Sequence, residues 1–242
     1  MEVQAAVAKI KKYATSTSGD TVEMIERPNG GISIVMADGQ SSGRGAKWGS
    51  SFVVRKVLSL LADGVRDGAA ARAASDALFT ERGGKVSATL NILSADLMTD
   101  TLVITRNNPA PALLAREENI VLLNEESMPI GNYRDIRPVI NEVELKPGLT
   151  VVVFTDGILH AGSREGQSID FVTCLQSTLE NESPSPSFIA DSFLKHALKL
   201  DHNRPVDDTS VVVLRIVSSD EDEPFAPKNL IRRMTAELPV WP

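Results

Sequence analysis

The alternation of apolar and polar positions divides the chain into strand-like and helix-like stretches. Residues 20–27, "DTVEMIER", and 31–37, "GISIVMA", have strand character, and the "PNGG" at 28–31 between them is hairpin-turn chemistry. Residues 2–14, "EVQAAVAKIKKYA", suit strand and helix equally on propensity. The period then changes. Trp48, Phe52, Val53, Val57, Leu60 and Leu61 recur at spacings near three and four, which predicts a helix ending near Gly64. A second, alanine-rich helix is predicted over 67–82, where Ala70, Ala73, Ala74 and Ala77 allow close packing.

From residue 86 the short runs "VSATLNILSADL", "TLVITR", "PALLARE", "NIVLLN", "IRPVINEVEL" and "LTVVVFTDG" read as strands separated by turn residues. Two more helical stretches, 168–180 and 186–200, are joined by "NESPSPS", and "TSVVVLRIV" (209–217) is the last strand. This order lacks the strict β–α alternation of a parallel doubly wound sheet. It predicts an α+β protein in which antiparallel sheets pack as a sandwich with helix pairs outside. No internal repeat or interior linker divides it, so 1–217 is expected to be one domain. The acidic stretch 218–242 reads as an appended tail whose Leu230, Ile231 and Trp241 are candidates to dock on the body.

Composition narrows the partners. With 242 residues, 42% of them hydrophobic, the chain can bury a substantial core. A net charge of −7 and the lack of a dense basic cluster argue against a nucleic-acid partner. Lys9, Lys11, Lys12 and Arg232, Arg233 read as solvated surface. Cys174 is the only cysteine, which excludes an intrachain disulfide and a cysteine-rich zinc site, and "FVTCLQ" suits a buried thiol. No signal-type core or membrane-length apolar run is visible, so a soluble, cytoplasmic protein without membrane contact is expected.

The acidic residues are placed unevenly with respect to the strands. Asp38 ends "ISIVMADG", Asp156 ends "TVVVFTDG", Asp207 and Asp208 precede the last strand, and Asp20 begins the hairpin. Carboxylates on rigid strand ends can converge, and hard divalent ions take such oxygen ligands. The plainer reading of each Asp-Gly is a turn whose glycine supplies positive φ. The glycine-rich stretch "ADGQSSGRGAKWG" lacks the Gly-Lys-Ser/Thr of a phosphate loop and the acidic partner of a dinucleotide site. It also lacks the twelfth-position Glu of an EF-hand, since Gly49 stands there.

Taken in order, "SGD" (18–20), "ADGQSSGRGAK" (37–47), "SATLNIL" (87–93), "RNNPAPALLAR" (106–116), "ESMPIGN" (126–132), "VVFTDGILHAG" (152–162) and "VDDTSVVVL" (206–214) resemble one family. It is the SpoIIE/RsbU/RsbX-type bacterial branch of the PP2C-like, metal-dependent serine/threonine phosphatases. The resemblance implies an αββα sandwich and a centre of two Mg²⁺ or Mn²⁺ ions. It implies that Asp38 bridges the ions, the Gly39 carbonyl ligates one, and Asp156 and Asp207 complete the second ion's protein shell. Asp20 would orient a metal-bound water, and Asp208 would have a secondary, orienting role.

A bridging hydroxide would then attack phosphorus, and His160 is a candidate acid for the leaving oxygen, against a plainer surface role. The sequence departs from the family pattern where "DGQSSGRG" places its next glycine one residue late and "NNPAPALL" replaces the usual Asn-Ala-Gly-His-x-Pro. The phosphate-gripping arginine of eukaryotic relatives has no counterpart, and Arg44 and Lys47 are candidate substitutes. The implied substrate is a phosphoprotein, by family analogy a STAS-domain regulator in stress or sigma-factor signalling. The implied switch is the helix pair 46–64 and 68–82, controlled by a separate protein because one catalytic domain fills the chain. The competing readings are a catalytically weak phosphoprotein-binding regulator of the same fold and a hydrolase of small phosphoesters.

Overall fold

A computed structural model describes residues 1–117, 119–181 and 184–218. The acidic stretch from 219 onward, with Leu230, Ile231 and Trp241, lies outside the described residues.

The elements run in the order β1 (Glu2–Ile10), β2 (Asp20–Glu26), β3 (Ile32–Gly39), α1 (Gly43–Ala62), α2 (Asp67–Arg82), β4 (Ala88–Asp96) and β5 (Thr101–Asn107). There follow β6 (Ala112–Arg116), β7 (Asn119–Leu123), β8 (Val139–Glu144), β9 (Thr150–Phe154), α3 (Asp156–Leu159), α4 (Phe171–Leu179), α5 (Pro186–Leu200) and β10 (Thr209–Val217). Two five-stranded sheets result, ordered β1-β10-β9-β6-β7 and β2-β3-β4-β5-β8. Every strand pairing in them is antiparallel. The expected α+β sandwich is the observed one.

Period-2 alternation sorts each strand between two cores. Ile34 and Met36 of β3, Leu93 of β4, Val151 and Val153 of β9, and Val212 and Leu214 of β10 meet between the sheets. The intervening residues face outward: Val35, Ala37, Leu90 and Ile92 pack under α1 and α2. Val152, Phe154, Val211 and Val213 pack under the helices of the other face. Pairing along its whole length decides the ambiguous N-terminal segment, since β1 runs in register with β10 from Glu2↔Val217 to Ile10↔Thr209.

Helix boundaries follow their caps. Asp170 accepts the Thr173 N–H at 3.0 Å and starts α4, and Ser185 accepts the Phe188 N–H at 3.1 Å ahead of Pro186 in α5. The helix faces differ from the sequence expectation by a small rotation. The buried face of α1 is Ala46, Gly49, Ser50, Val53, Val54, Val57 and Leu61, with Trp48 and Phe52 only half-buried beside it. On α2, Ala70, Ala71 and Ala74 are buried, whereas Ala73 and Ala77 stand at its margin. Small residues allow the helices to lie close on the sheet, and the bulky aromatics are displaced to the flank.

Candidate metal centre

At one end of the sandwich the inward-facing rows turn polar. On β2 the row Met24, Val22 ends in Asp20, and on β3 the row Ile34, Met36 ends in Asp38. On β4, Leu93 and Asn91 lead to Thr89. From the facing sheet, Val151 and Val153 lead to Thr155, and Leu214 and Val212 lead to Ser210. Asp20 and Asp38 are directly opposite partners in the β2–β3 register, which puts their Cβ atoms about 5 Å apart.

Asp20 is wholly buried and is held from across the sandwich. Its Oδ2 accepts from Ser210 Oγ at 2.6 Å and from Thr155 Oγ1 at 3.1 Å, while among the described residues no donor reaches its Oδ1. Its carbonyl accepts from Lys9 Nζ at 3.1 Å and Lys47 Nζ at 3.0 Å. Asp208, also buried, accepts from Lys12 N at 2.9 Å and Gly19 N at 2.7 Å. It thereby fastens both ends of the β1–β2 connection and fixes the entry to Asp20.

Asp156 opens α3 rather than ending β9, so its side chain is carried by a first helical turn just beyond the strand. Asp207 is half-exposed, 3.7 Å from Lys12 Nζ. Both Asp-Gly pairs depart from the turn reading, because neither Gly39 nor Gly157 has positive φ. Close approach requires them instead. A Cβ at Gly39 would run into the Ala46 carbonyl, and one at Gly157 into the Asp208 carbonyl and Thr209 Oγ1.

The convergence shows in the acidities. Burial, then the charges of Asp20 and Asp156, raise Asp38 to about 10, with Asp207 adding to the same effect. Burial raises Asp20 to about 6 against the lowering by Ser210 and Asp38. Asp156 is raised by burial and then by Asp207. Both carboxyls are held above the ordinary carboxylate range, as burial beside like charge requires. As they stand, no three of the described His, Cys, Asp or Glu side chains close around a common point in a metal-holding arrangement. The donor set nevertheless fits hard divalent cations: the Asp20 and Asp38 carboxyls opposite each other in the β2–β3 register, and an orphaned Oδ1 on Asp20.

The three proposed substrate contacts are not brought together. Lys47 is spent on Asp20 O and on Thr21 Oγ1, the latter at 2.8 Å, and burial lowers its pKa. Arg44 is exposed at the start of α1. His160 is exposed, its backbone N–H bonded to the Asp156 carbonyl at 2.8 Å, and its charge favours ionised Asp156. Cys174 is buried and its thiol is pushed up to about 11, as suits an inert packing residue.

Sequence reading missed several supports. Thr155 and Ser210 were legible in principle, because they continue the inward parity of β9 and β10 into the site. Asp201 ties the loops flanking Asp156 and Asp207 by accepting from Gly162 N at 2.9 Å and Val206 N at 3.1 Å. Arg106 is wholly buried and donates to the carbonyls of Asn108 at 3.2 Å, Ala110 at 3.1 Å and Glu125 at 3.1 Å. Asn108 in turn donates to the Phe154 carbonyl at 3.1 Å, so this hub braces the strand that leads to Asp156. No sequence pattern marks Asp201 or Arg106 for these roles.

The family model described as Stage II sporulation protein E (SpoIIE) matches residues 28–217. The chain belongs to the SpoIIE family. Asp20 lies outside the matched span, so its place in the site comes from the β2–β3 register. Stage II sporulation protein E of Bacillus subtilis (strain 168) is 21% identical over 215 residues, covering 88% of this chain. The chain spans 26% of that relative's length. The PP2C phosphatase domain and regulatory-domain fragment of SpoIIE from Bacillus subtilis shares the fold, with a TM-score of 0.77 at 20% identity. That match covers 89% of this chain and 64% of the other. The catalytic domain of the serine/threonine phosphatase PstP, in complex with two manganese ions, matches with a TM-score of 0.68 at 16% identity. It covers 89% of this chain and 99% of that one. Among the described residues, no helix of this SpoIIE-family chain is long and apolar enough to cross a membrane.

Proposed function

We propose that the chain is a metal-dependent protein serine/threonine phosphatase. The observation that carries this reading is the pairing of Asp20 and Asp38 across the β2–β3 register, with Asp20 held from the facing sheet by Ser210 and Thr155, and with Asp38 raised to about 10 by burial and then by the charges of Asp20 and Asp156. Asp38, the Gly39 carbonyl, Asp156 and Asp207 would hold two Mn²⁺ or Mg²⁺ ions, as PstP holds two manganese ions. When bound, such ions supply a nucleophile from water near neutral pH and offset charge on a phosphoryl group.

The chain's own residues set the stage for that chemistry. Ser210 and Thr155 fix Asp20 through Oδ2 and leave its Oδ1 without a donor among the described residues. Asp208 holds the β1–β2 connection that carries Asp20. His160 keeps an exposed ring beside Asp156, where it can give a proton to a leaving serine or threonine oxygen. The finer assignment, a phosphorylated STAS-type regulator as substrate in cytoplasmic stress or sigma-factor signalling, is supported by family membership alone.

The deciding experiment is hydrolysis of p-nitrophenyl phosphate and of a phosphoserine protein with Mn²⁺. Wild type is expected to turn over both, and Asp38→Asn neither. Equal inertness of the two proteins would leave a phosphoprotein binder as the reading.

A further inference from the structure

The outward face of α1 carries two parallel rows at four-residue spacing, Arg44–Trp48–Phe52–Lys56 and Lys47–Ser51–Arg55–Ser59. With Thr17 they line a groove of about 580 Å³ whose lining, among the described residues, includes no acidic side chain. The rows run for about 22 Å along the helix, the span of roughly six or seven extended residues. The groove begins beside the start of β2, where Lys47 at its near end bonds the carbonyl of Asp20.

Its charge is opposite to that of the molecule. In a chain of net charge −7, Arg44, Arg55 and Lys56 are exposed, and among the described residues none of them is in an ion pair. Asp20 and then Glu23 of β2 are the acidic side chains whose charge acts on Lys47. The floor is apolar and prearranged: Trp48 stacks on Phe52 with centroids 5.2 Å apart, and the Arg82 guanidinium of α2 lies 3.7 Å from the Trp48 centroid. Cations along an aromatic floor select a chain that is acidic and carries an apolar side chain.

We propose that this groove docks an acidic segment flanking the phosphorylated residue of the protein substrate, an inference that rests on the phosphatase reading. The centre acts on the phosphoryl group, and the groove selects the chain that bears it. Docking next to the centre raises the local concentration of the phosphoresidue without altering the chemical step.

The test uses two labelled phosphothreonine peptides, one flanked by four acidic residues and a leucine, the other by serines. Binding to the Asp38→Asn protein is read by fluorescence anisotropy, and kcat/KM is read on the active protein. The acidic peptide is expected to bind on the order of tenfold tighter, with the advantage shrinking as NaCl rises from about 50 to about 300 mM. In the Arg55→Glu/Lys56→Glu variant the ratio of the two peptides should fall to about one. Equal binding of both peptides to the otherwise unaltered groove, or a preference that survives the double substitution, overturns the proposal. So does a double variant that changes p-nitrophenyl phosphate turnover while keeping the peptide preference, which would assign the groove to an activating protein. Absence of hydrolysis with the binding preference intact would instead remove the phosphatase reading and leave the docking groove in place.

Discussion

Asp20 and Asp38 stand directly across the β2–β3 ladder from each other, both on the face between the sheets. Like charges so placed repel, and burial amplifies the effect. Burial, and for Asp38 next the charge of Asp20, raises the two to about 6 and about 10, above the ordinary carboxyl value near 4 that the unfolded chain retains. The folded, ion-free protein holds protons that the unfolded chain releases. This stability is fully present below about pH 4 and is lost as pH rises through 6 and toward the Asp38 value. Melting followed in chelator should fall between about pH 5 and about pH 8. Asp38→Asn should flatten the decline and melt higher than wild type at the alkaline end, by roughly 5 °C. Added Mn²⁺ should reverse the order, stabilising wild type alone. Parallel pH slopes for the two proteins would show that the pair does not carry this strain.

Ser210 holds Asp20 through the 2.6 Å bond to Oδ2. Ser210→Ala removes one of two donors and leaves Thr155 Oγ1 as the remaining one. Such supporting bonds typically set metal affinity within about 10- to 100-fold, so the Mn²⁺ concentration for half-maximal activity should rise by that factor. The folding free energy should fall by only about 1–3 kcal/mol. A metal titration of phosphatase activity beside a urea curve separates the two effects; an unchanged Mn²⁺ requirement would remove Ser210 from the site.

Arg106 and Glu125 form an unequal pair, the arginine wholly buried and the glutamate side chain half-exposed, 3.1 Å apart. Arg106→Met strips donors from three buried or partly buried carbonyls and should cost about 3–5 kcal/mol. Glu125→Ala leaves the guanidinium its carbonyl acceptors and should cost about 1 kcal/mol or less. Urea midpoints of the two variants test the asymmetry, which disappears if the ion pair rather than the carbonyl hub holds the segment.

The loop after Asp38 contains the residue by which it exceeds the family spacing, and two of its residues are left-handed: Ser41 at φ 75° and Gly43 at φ 76°. Gly43→Ala therefore meets backbone strain and should cost about 1–2 kcal/mol. Gly45, in the first turn of α1, has ordinary φ and open space around a Cβ. Gly45→Ala should stabilise by roughly 0.5–1 kcal/mol. Thermal melts of the pair give opposite signs if the loop has this conformation.

The strands and the helix pairs were legible in the sequence, because period-2 and near-3.6 patterns are local properties of the chain. Asp38, Asp156 and Asp207 were legible as candidates for the same reason, each standing beside an apolar strand. The sequence left the N-terminal segment undecided, and a full-length pairing with β10 makes it a strand. The reason for each Asp-Gly pair was also hidden: local chemistry points to a turn, whereas Gly39 and Gly157 are required by backbone from α1 and β10 passing close by.

The sequence alone determined where the strands lie, and period 2 then makes Asp20, Thr155 and Ser210 each continue one row of its own strand. Only the tertiary structure decided that these rows end at the same rim. That depends on sheet order, on antiparallel register and on the face-to-face packing that sets Ser210 against Asp20 across 190 residues of chain. Contacts between elements so distant in sequence leave no periodic trace in either segment, and they make a cluster of strained carboxylates out of separate aspartates.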